Sequence, residues 1–536
     1  MNLTRGFRKW LHKTDKTNNH TRPAEQPAGL FVFTEENMNI LTFEPFGYEG
    51  SLVTVETDTR RGIPAVDMVG LSDGAVKEER ERIKAAVRNS GFDFPMERVL
   101  VSLSPTDLKK EGAILDLAIA ASIITAGGKE KYIDESVLVL GELEPSGAVR
   151  PVRAVHAALG AAKSAGVRYA IVPKQNIAEA REIHGMRVCG VENLCEAVKV
   201  LKDTSLFKDS ATEEKDDGTV SFRDDKETAE IDGTELPKKL VRAIEIAVAG
   251  KHSLMVIGKP GCGKTLAIQR LVPALAPLLT WEESQCVTRI HSIAALLRPS
   301  EGLKRIPPFR MPHQTCSLEG MCGGGANCRP GEVSLSHNGF LFLDEAAEFK
   351  SSVLQMLRVP LESGCMSVSR AGRTTVYPAK FQMMMTVNPC PCGNYGSKER
   401  LCLCSEKTVR QYWRKLGSPL IDRIGVICAL GDGEETAKVS IADLRSHIRK
   451  AFEIQRKFGN YNNHLSPQEL LERYKADDKA EKIIASYAEE KQISQRRATS
   501  IRKFALTIAN MDGRENVRAA DVREAVSYSE EFHSEI

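Results

Sequence analysis

The stretch IGKPGCGKT, residues Ile257–Thr265, decides the fold of this 536-residue chain. It matches G-x-x-x-x-G-K-[ST], follows the apolar run SLMVI and leads into the helix-like segment LAIQRLVPAL. A strand, a glycine-rich loop and a helix in this order form a phosphate-binding loop, whose backbone N–H groups surround nucleotide phosphates. The alternative is a glycine-rich turn that matches by chance. The residues predicted to bind the nucleotide here are Gly258, Pro260, Gly261, Gly263, Lys264 and Thr265, with Thr265 also holding Mg²⁺.

A second motif, GFLFLDE, ends in two acidic residues and lies about eighty residues after the loop. Its continuous apolar run is typical of a buried parallel strand, and such strands end at the ligand-binding edge of an α/β sheet. We expect Asp344 to bind the nucleotide and its Mg²⁺, and Glu345 to act as the general base that accepts a proton from the attacking water. The pattern therefore indicates ATP hydrolysis as well as ATP binding.

A third apolar run, FQMMMTV, leads to Asn388 in the sequence VNP. A neutral amide at this place suits the orientation of water beside a γ-phosphate, although an Asn before Pro is also ordinary turn chemistry. Four cysteines follow in the pattern C-x-C-x₉-C-x-C, at Cys390, Cys392, Cys402 and Cys404. Four thiolates suit a structural Zn²⁺ site, and the alternative is four free thiols in a turn.

Composition excludes several classes of protein. The net charge is only +3, so any basic surface that attracts nucleic acid must be local. The longest apolar candidate, ILDLAIAASIITA, contains Asp116 and reads as a core helix instead of a membrane span. Thirteen cysteines are scattered through the chain and no signal peptide is evident. We expect a cytoplasmic protein with reduced thiols and no membrane association.

The sequence divides into five segments. The first, residues 1–37, is predicted to be a flexible extension, with Met38 as an alternative start. A mixed α/β domain covers 38–202, and an acidic linker covers 203–235, with twelve acidic residues against four lysines or arginines. The nucleotide-binding α/β core spans 236–433, and a helical segment that suits a lid over the nucleotide spans 434–536.

Nearly everything after Met38 resembles the ComM/YifB family, the magnesium-chelatase-like AAA+ ATPases of bacteria. The resemblance is carried by an ordered series of motifs: PPFRMPHQT, GGGANCRPGEVSLSHNGFLFLDEAAEFK, VPLESG, SVSRAGRTTVYPAKF, NPCPCG and GSPLIDRIGV. It implies an AAA+ P-loop NTPase core with a parallel sheet, a C-terminal helical lid of the magnesium-chelatase type, and an N-terminal α+β domain of the Lon-protease-like, ribosomal S5-like fold. PHQT stands where the family has PHHT.

The resemblance also assigns further residues. Arg423, in LIDRIG, matches an arginine that reaches the γ-phosphate bound by the neighbouring subunit of a hexameric ring. Arg496, in SQRRA, matches the arginine of the lid's SxR pattern. Two insertions are expected to face the pore, the segment around 323–329 and a hairpin at SRAGR. There Arg329, Arg370 and Arg373 are expected to contact a DNA backbone. From the residues alone, each of these arginines also fits an ordinary solvated surface position.

The function implied by the resemblance is a Mg²⁺-dependent, DNA-translocating helicase that drives branch migration in recombination and natural transformation. Single-stranded or branched DNA is the expected partner. The first alternative is a protein-remodelling, chaperone-like ring ATPase, and the second is a metal-chelatase motor subunit. Protease activity is not expected, because His156 stands where Lon-type proteases carry the catalytic lysine and KEGAILDLAIA offers no serine in the nucleophile's turn.

Overall fold

The computed structural model describes residues 39–529 apart from 71–72, 106–109, 111, 128–130, 211–218, 299, 371–372 and 397–399. The proposed N-terminal extension, residues 1–37, lies outside the described residues. Contacts within Met38–Ile536 define one unit, so its parts can be related to one another.

An eight-stranded mixed sheet forms the N-terminal part of the chain, in the strand order β10-β9-β8-β5-β1-β2-β4-β3. The alternating segments SLVTVETDT and RVLVSLSP, predicted to be strands, form β2 and β4, which pair antiparallel. A separate hairpin is made by β6 and β7. The strands are β1 (Ile40–Glu44), β2 (Ser51–Arg60), β3 (Ala65–Val69), β4 (Arg98–Ser104), β5 (Val137–Val139), β6 (Glu142–Leu143), β7 (Val149–Arg150), β8 (Tyr169–Pro173), β9 (Arg187–Val191) and β10 (Lys208–Asp209).

Five helices accompany this sheet among the described residues: α1 (Asp73–Asn89), α2 (Asp116–Gly127), α3 (Val155–Ser164), α4 (Ile177–Arg181) and α5 (Leu194–Val200). The apolar run predicted to be a core helix is α2, which is buried along its first nine residues. It packs on β2, α1 and α5. A helix that is apolar on all sides requires such a position, because every face must be shielded from water.

A five-stranded, all-parallel sheet lies at the centre of the nucleotide-binding core, in the order β13-β16-β19-β12-β20. The strand before the phosphate loop, β12, is therefore flanked by the strand that leads to Asn388 and by β20. The strands of this region are β11 (Glu235–Pro237), β12 (Leu254–Ile257), β13 (Phe309–Arg310), β14 (Gly323–Gly324), β15 (Arg329–Pro330), β16 (Phe340–Leu343), β17 (Cys365–Arg370), β18 (Arg373–Pro378), β19 (Gln382–Val387), β20 (Val426–Ala429) and β21 (Thr436–Lys438). This parallel α/β arrangement is the one expected for a P-loop AAA+ core.

The helices of the core pack on both faces of this sheet and form two apolar clusters. They are α6 (Lys226–Ile231), α7 (Lys238–Gly250), α8 (Lys264–Leu275), α9 (Trp281–Ile293), α10 (Leu318–Cys322), α11 (Glu332–Leu335), α12 (Ser351–Met356), α13 (Arg358–Ser363), α14 (Glu406–Arg414) and α15 (Ser418–Ile421). Part of the acidic segment is folded into this core. Val220 and Ile231 are buried there, so their apolar burial holds 219–235 in place despite the acidic composition.

The C-terminal part is helical, with α16 (Ile441–Lys457), α17 (Pro467–Arg473), α18 (Asp478–Lys491), α19 (Gln495–Met511) and α20 (Ala519–Ser527), and a short parallel pair of β22 (Lys475–Ala476) and β23 (Asn516–Val517). Helices α16 and α19 pack on α7. Phe452 and Phe504 share one apolar cluster with Leu240 and Leu271 of the nucleotide-binding core. The helical part is thus held to the core by continuous apolar packing.

Candidate nucleotide site

The phosphate loop connects β12 to α8 at the carboxyl edge of the parallel sheet. Gly261 and Gly263 have φ angles of 82° and 81°, a left-handed conformation that residues with a Cβ rarely adopt. This explains why two glycines are needed in the turn. The loop thus presents its backbone N–H groups beside the N-terminus of α8, where the helix dipole favours phosphate.

Lys264 is the first residue of α8, and its side chain folds back into the loop. Its ammonium donates hydrogen bonds to the carbonyls of Gly258 and Lys259, each at 2.6 Å, and to Asn388 Oδ1 at 3.3 Å. Burial lowers the pKa of Lys264, because an ammonium is poorly solvated there. The structure therefore brings Lys264 and Asn388 together, 124 residues apart in the chain.

Asp344 follows β16 and meets the phosphate loop. The Thr265 hydroxyl donates a hydrogen bond to Asp344 Oδ1 at 2.9 Å, and the Thr386 hydroxyl donates to the same oxygen at 2.6 Å. A hydroxyl and a carboxylate at this separation are oxygen ligands of the kind that Mg²⁺ takes beside a nucleotide. The two residues predicted to hold the metal are thus in direct contact.

Glu345, next along the chain, is exposed and lies in the left-handed region with φ 51°. Its backbone N–H donates to the Thr386 hydroxyl at 2.9 Å, and the Gln314 amide donates to its carboxylate at 2.8 Å. Sequence reasoning missed both Gln314 and Thr386. The sequence did mark Gln314, because it is the residue at which PHQT departs from PHHT. It gave no indication that Gln314 contacts Glu345.

The four cysteines form one cluster in the loop that follows Asn388. Their Sγ atoms all lie within 4.8 Å of one another. The Sγ–Sγ distances are 3.3 Å for Cys390–Cys392, 3.7 Å for Cys390–Cys402 and 3.6 Å for Cys392–Cys402. A backbone hydrogen bond from Asn394 lowers the pKa of Cys392 to about 6.

The cysteine loop also contacts the phosphate loop. A Cβ at Gly393 would lie 2.5 Å from the Pro260 ring, so only a glycine allows the cysteine loop to approach this ring so closely. On its other side, the Trp413 indole N–H donates to the Pro389 carbonyl at 3.1 Å. The cluster is therefore packed directly against the candidate nucleotide site.

Arg423 and Arg496 come together away from the phosphate loop. In the part of the chain that the structure describes, the hydrogen bonds of the Arg423 guanidinium go to the Pro419 carbonyl and to Glu362, each at 2.5 Å, and none goes to the phosphate loop. Arg496 contacts the same carboxylate at 3.4 Å. Sequence reasoning gave no role to Glu362, which lies in the quoted motif VPLESG.

The hairpin predicted around SRAGR is formed by β17 and β18, with Arg370 opposite Arg373. A second, shorter hairpin pairs β14 with β15 and carries Arg329. Strand β14 lies close to β17, so the two insertions are neighbours. Arg329 and Arg370 are exposed, which leaves their guanidinium groups accessible to a ligand.

Arg373 has a different environment, because a loop of the N-terminal domain packs against the hairpins. The Arg373 guanidinium lies 3.4 Å from the centroid of the Phe46 ring. The Tyr48 backbone N–H donates to the Thr375 hydroxyl at 3.0 Å, and the Gly47 N–H donates to the Asn327 carbonyl at 3.1 Å. The loop thus joins the N-terminal sheet to both hairpins.

His156 lies in α3, where its side chain is buried. Its Nε2 lies 2.6 Å from Gln285 Oε1, and burial lowers its pKa to about 4. The imidazole is therefore neutral at physiological pH and makes a contact between the N-terminal domain and α9.

Among the described residues, no helix combines the length and apolarity needed to cross a bilayer.

Comparison with protein families gives three matches along the chain. Residues 228–437 match the family described as magnesium chelatase, subunit ChlI, and residues 438–529 match its C-terminal family. Residues 55–176 match the family described as subunit ChlI of Mg-chelatase.

Individual relatives match over most of the chain. The competence protein ComM of Haemophilus influenzae is 33% identical over 506 residues, covering 90% of this chain and 95% of that protein. The YifB protein of Escherichia coli is 34% identical over 499 residues, with the same coverage of 90% and 95%. An uncharacterized protein of Mycobacterium tuberculosis is 39% identical over 407 residues, covering 73% of this chain and 78% of the relative.

Proposed function

The chain belongs to the ComM/YifB family of magnesium-chelatase-like AAA+ ATPases, and from that membership we propose that it forms a hexameric ring. In this ring the protein acts as a DNA-translocating helicase that drives branch migration. The observation that supports hydrolysis is the convergence of Lys264, Thr265, Asp344 and Asn388 at one edge of the parallel sheet. The name of the Haemophilus relative supports a role in competence, and hence in natural transformation and recombination.

The residues at this edge suit ATP with Mg²⁺. Lys264 would bind the β and γ phosphates, and Thr265 with Asp344 would hold the metal. Bound Mg²⁺ supplies positive charge that offsets the charge developing on the phosphates. Asn388 contacts the Lys264 ammonium, so it also holds that charge in place.

Glu345 is the proposed general base. It is exposed at the carboxyl edge of the sheet, where it can accept a proton from water, and Gln314 fixes its carboxylate through the hydrogen bond of 2.8 Å. Arg423 points to the Glu362 carboxylate instead of the phosphate loop of its own chain, which supports a role at the site of an adjacent subunit. A guanidinium suits this role because it stays charged and can bind two phosphate oxygens.

The cysteine cluster is the proposed site of a structural Zn²⁺. Four thiolates at Zn–S distances of about 2.3 Å in a tetrahedron place sulfur atoms about 3.8 Å apart. The separations of 3.6 and 3.7 Å are close to this value, and all three Sγ–Sγ distances given above exceed the about 2.05 Å of a disulfide. Cys390, Cys392, Cys402 and Cys404 therefore fit a metal better than they fit paired disulfides.

The N-terminal domain is proposed to be a Lon-like domain without protease activity, used in assembly or in contacting the substrate. A Ser-Lys dyad needs a hydroxyl and an amine within hydrogen-bond reach. At the lysine position stands His156, which is buried and bonded to Gln285. The helical C-terminal part, packed on α7 and α8, is proposed to be the lid of the AAA+ module.

DNA contact is proposed at the two neighbouring hairpins. Arg329 and Arg370 are exposed at the first residue of β15 and the last residue of β17, where they can bind a phosphate backbone without reading bases. Arg373 is stacked on Phe46, so we expect a smaller contribution from it. These cationic side chains support single-stranded or branched DNA as the partner.

The test is salt-dependent stimulation of the ATPase by DNA. Hydrolysis should rise with single-stranded or branched DNA at low salt, and Arg370→Ala with Arg373→Ala should bring the ratio of rates with and without DNA close to one. Each lost phosphate contact should lower the slope of log affinity against log salt by about one unit. Arg60→Ala, at an exposed site on β2, is the control.

Two results would contradict the proposal, the first in the helicase activity and the second in the role of the hairpin alone. A parent protein that neither binds DNA nor responds to it would favour protein remodelling, and a double variant that unwinds branched DNA like the parent would remove the hairpin from DNA binding.

A further inference from the structure

Glu362, the fifth residue of α13, joins the two arginines to which the family resemblance points. Its Oε2 accepts a hydrogen bond of 2.5 Å from Arg423 Nη2, and its Oε1 contacts Arg496 Nη1 at 3.4 Å. Each carboxylate oxygen thus serves one guanidinium. The three residues come from α13, the segment after α15 and the start of α19.

The arrangement is asymmetric in burial. The Arg423 side chain is 14% exposed, whereas those of Arg496 and Glu362 are 44% and 56% exposed. Arg423 is fixed at a second point, since its Nη1 donates to the Pro419 carbonyl at 2.5 Å. The carboxylate therefore lies at the surface, between the more buried Arg423, which also bonds to Pro419, and the more exposed Arg496.

The charges favour this grouping. Two guanidinium groups that share a small volume repel each other, and the attraction of both to a carboxylate between them offsets the repulsion. The hydrogen bond from Arg423 and its positive charge, with a smaller contribution from Arg496, hold the pKa of Glu362 below its ordinary value. Glu362 is therefore ionised at neutral pH and stays paired.

We propose that Glu362 is a positioning residue for ATP hydrolysis, which holds Arg423 and Arg496 side by side so that both reach the triphosphate bound by the adjacent subunit. The proposal rests on the ring and on the arginine in trans described under the proposed function. An exposed ion pair by itself contributes little to folding, because water screens it. The value of the grouping lies in orientation, since a misplaced arginine loses its contact to the transferred phosphate.

The first measurement is steady-state ATP hydrolysis by Glu362→Gln. We expect kcat to fall about ten-fold or more while KM for ATP changes less than about two-fold, since the arginines act mainly in the transition state. The thermal unfolding midpoint should stay close to that of the parent. Glu481→Gln, which removes the same charge from the Glu481–Arg502 pair on the C-terminal helices, is the matched control and should hydrolyse ATP at the parent rate. A parent-like kcat in Glu362→Gln would overturn the proposal.

Mixed rings identify the side of the interface on which Glu362 acts. Glu362→Gln subunits keep an intact phosphate loop, and Lys264→Ala subunits keep intact arginines, so mixing them should raise activity above that of either alone. Mixing Glu362→Gln with Arg423→Ala should give no such rise, because both lack the arginine side. If Arg423→Ala with Lys264→Ala recovers activity but Glu362→Gln with Lys264→Ala does not, only the role of Glu362 fails. If neither recovers, the arginine in trans fails as well.

A double-mutant cycle separates positioning from a structural role. If Glu362 acts through the two arginines, then adding Glu362→Gln to a variant that carries both Arg423→Ala and Arg496→Ala should cause no further loss of rate. A further loss as large as that of Glu362→Gln alone would contradict the proposal. Should Glu362→Gln unfold at a lower temperature, the same cycle with Glu362→Asp, which keeps the charge, decides the question.

Discussion

At the scale of single residues, the candidate site separates binding from chemistry. Lys264 is buried among loop carbonyls with its ammonium directed into the phosphate loop, whereas Glu345 is exposed and forms hydrogen bonds with Gln314 and Thr386. Removing the first should affect the affinity for nucleotide, and removing the second should affect turnover. Since the two side chains have different partners, their effects can be measured independently.

Glu345→Gln is expected to retain ATP binding while turnover falls by about two orders of magnitude or more, the effect of a lost general base. Nucleotide affinity is measured by titration with a fluorescent ATP analogue, and turnover by phosphate release. Glu348→Gln, at a nearby exposed acid, is the control. Undiminished turnover would remove Glu345 from the mechanism.

Lys264→Ala is expected to weaken ATP binding itself, because the change deletes a cationic contact to the phosphates. The same titration measures the loss. Lys259→Ala is the comparison in the same loop, since the Lys259 side chain forms an ion pair with Asp432. If affinity survives in Lys264→Ala, the phosphate-loop assignment is wrong.

At the scale of elements, the loop between β19 and α14 joins two functions. It begins at Asn388, which contacts Lys264, and it contains all four clustered cysteines. Gly393 packs on Pro260 of the phosphate loop, so a change in the cysteine loop reaches the nucleotide site directly. A metal that holds this loop would therefore stabilise the position of Asn388 as well as the fold.

The purified protein is expected to contain about one zinc per chain. Cys402→Ser should lower both the zinc content and the thermal unfolding midpoint, because binding of structural zinc contributes to the free energy of folding. Elemental analysis and calorimetry measure the two quantities. Cys195→Ser, at an exposed cysteine outside the cluster, should change neither. A metal-free protein whose ATPase resists chelators would support free thiols.

At the scale of the whole molecule, contacts between distant segments connect the proposed activities. The loop at Phe46 and Tyr48 ties the N-terminal sheet to the hairpins, and Arg289 stacks on the Tyr48 ring at 4.4 Å. The N-terminal domain is thus in direct contact with the hairpins that carry the proposed DNA contacts. Arg423, by contrast, has no hydrogen bond to the phosphate loop of its own chain among the described residues, which fits its proposed role at the site of an adjacent subunit.

Arg423→Ala subunits are expected to bind ATP normally and to hydrolyse it poorly, since an arginine that contacts the transferred phosphate is worth about three orders of magnitude or more. Mixing them with Lys264→Ala subunits should restore activity at interfaces that join an intact loop to an intact arginine. ATPase rates across mixing ratios, with ring formation followed by light scattering, measure the effect. The absence of any recovery in well-mixed rings would indicate a role within one subunit.

The sequence by itself determined the local features: the phosphate loop, the apolar strands ending at Asp344 and Asn388, the core helix α2 and the β17–β18 hairpin. These follow from glycine conformation, apolar periodicity and turn residues, which act over a few neighbouring positions. Only the tertiary structure decided that Gln314 holds Glu345, that Glu362 joins Arg423 to Arg496, and that Phe46 covers Arg373. Those contacts join residues from 31 to 327 positions apart or depend on domain packing, and no local pattern encodes which surface polar groups meet.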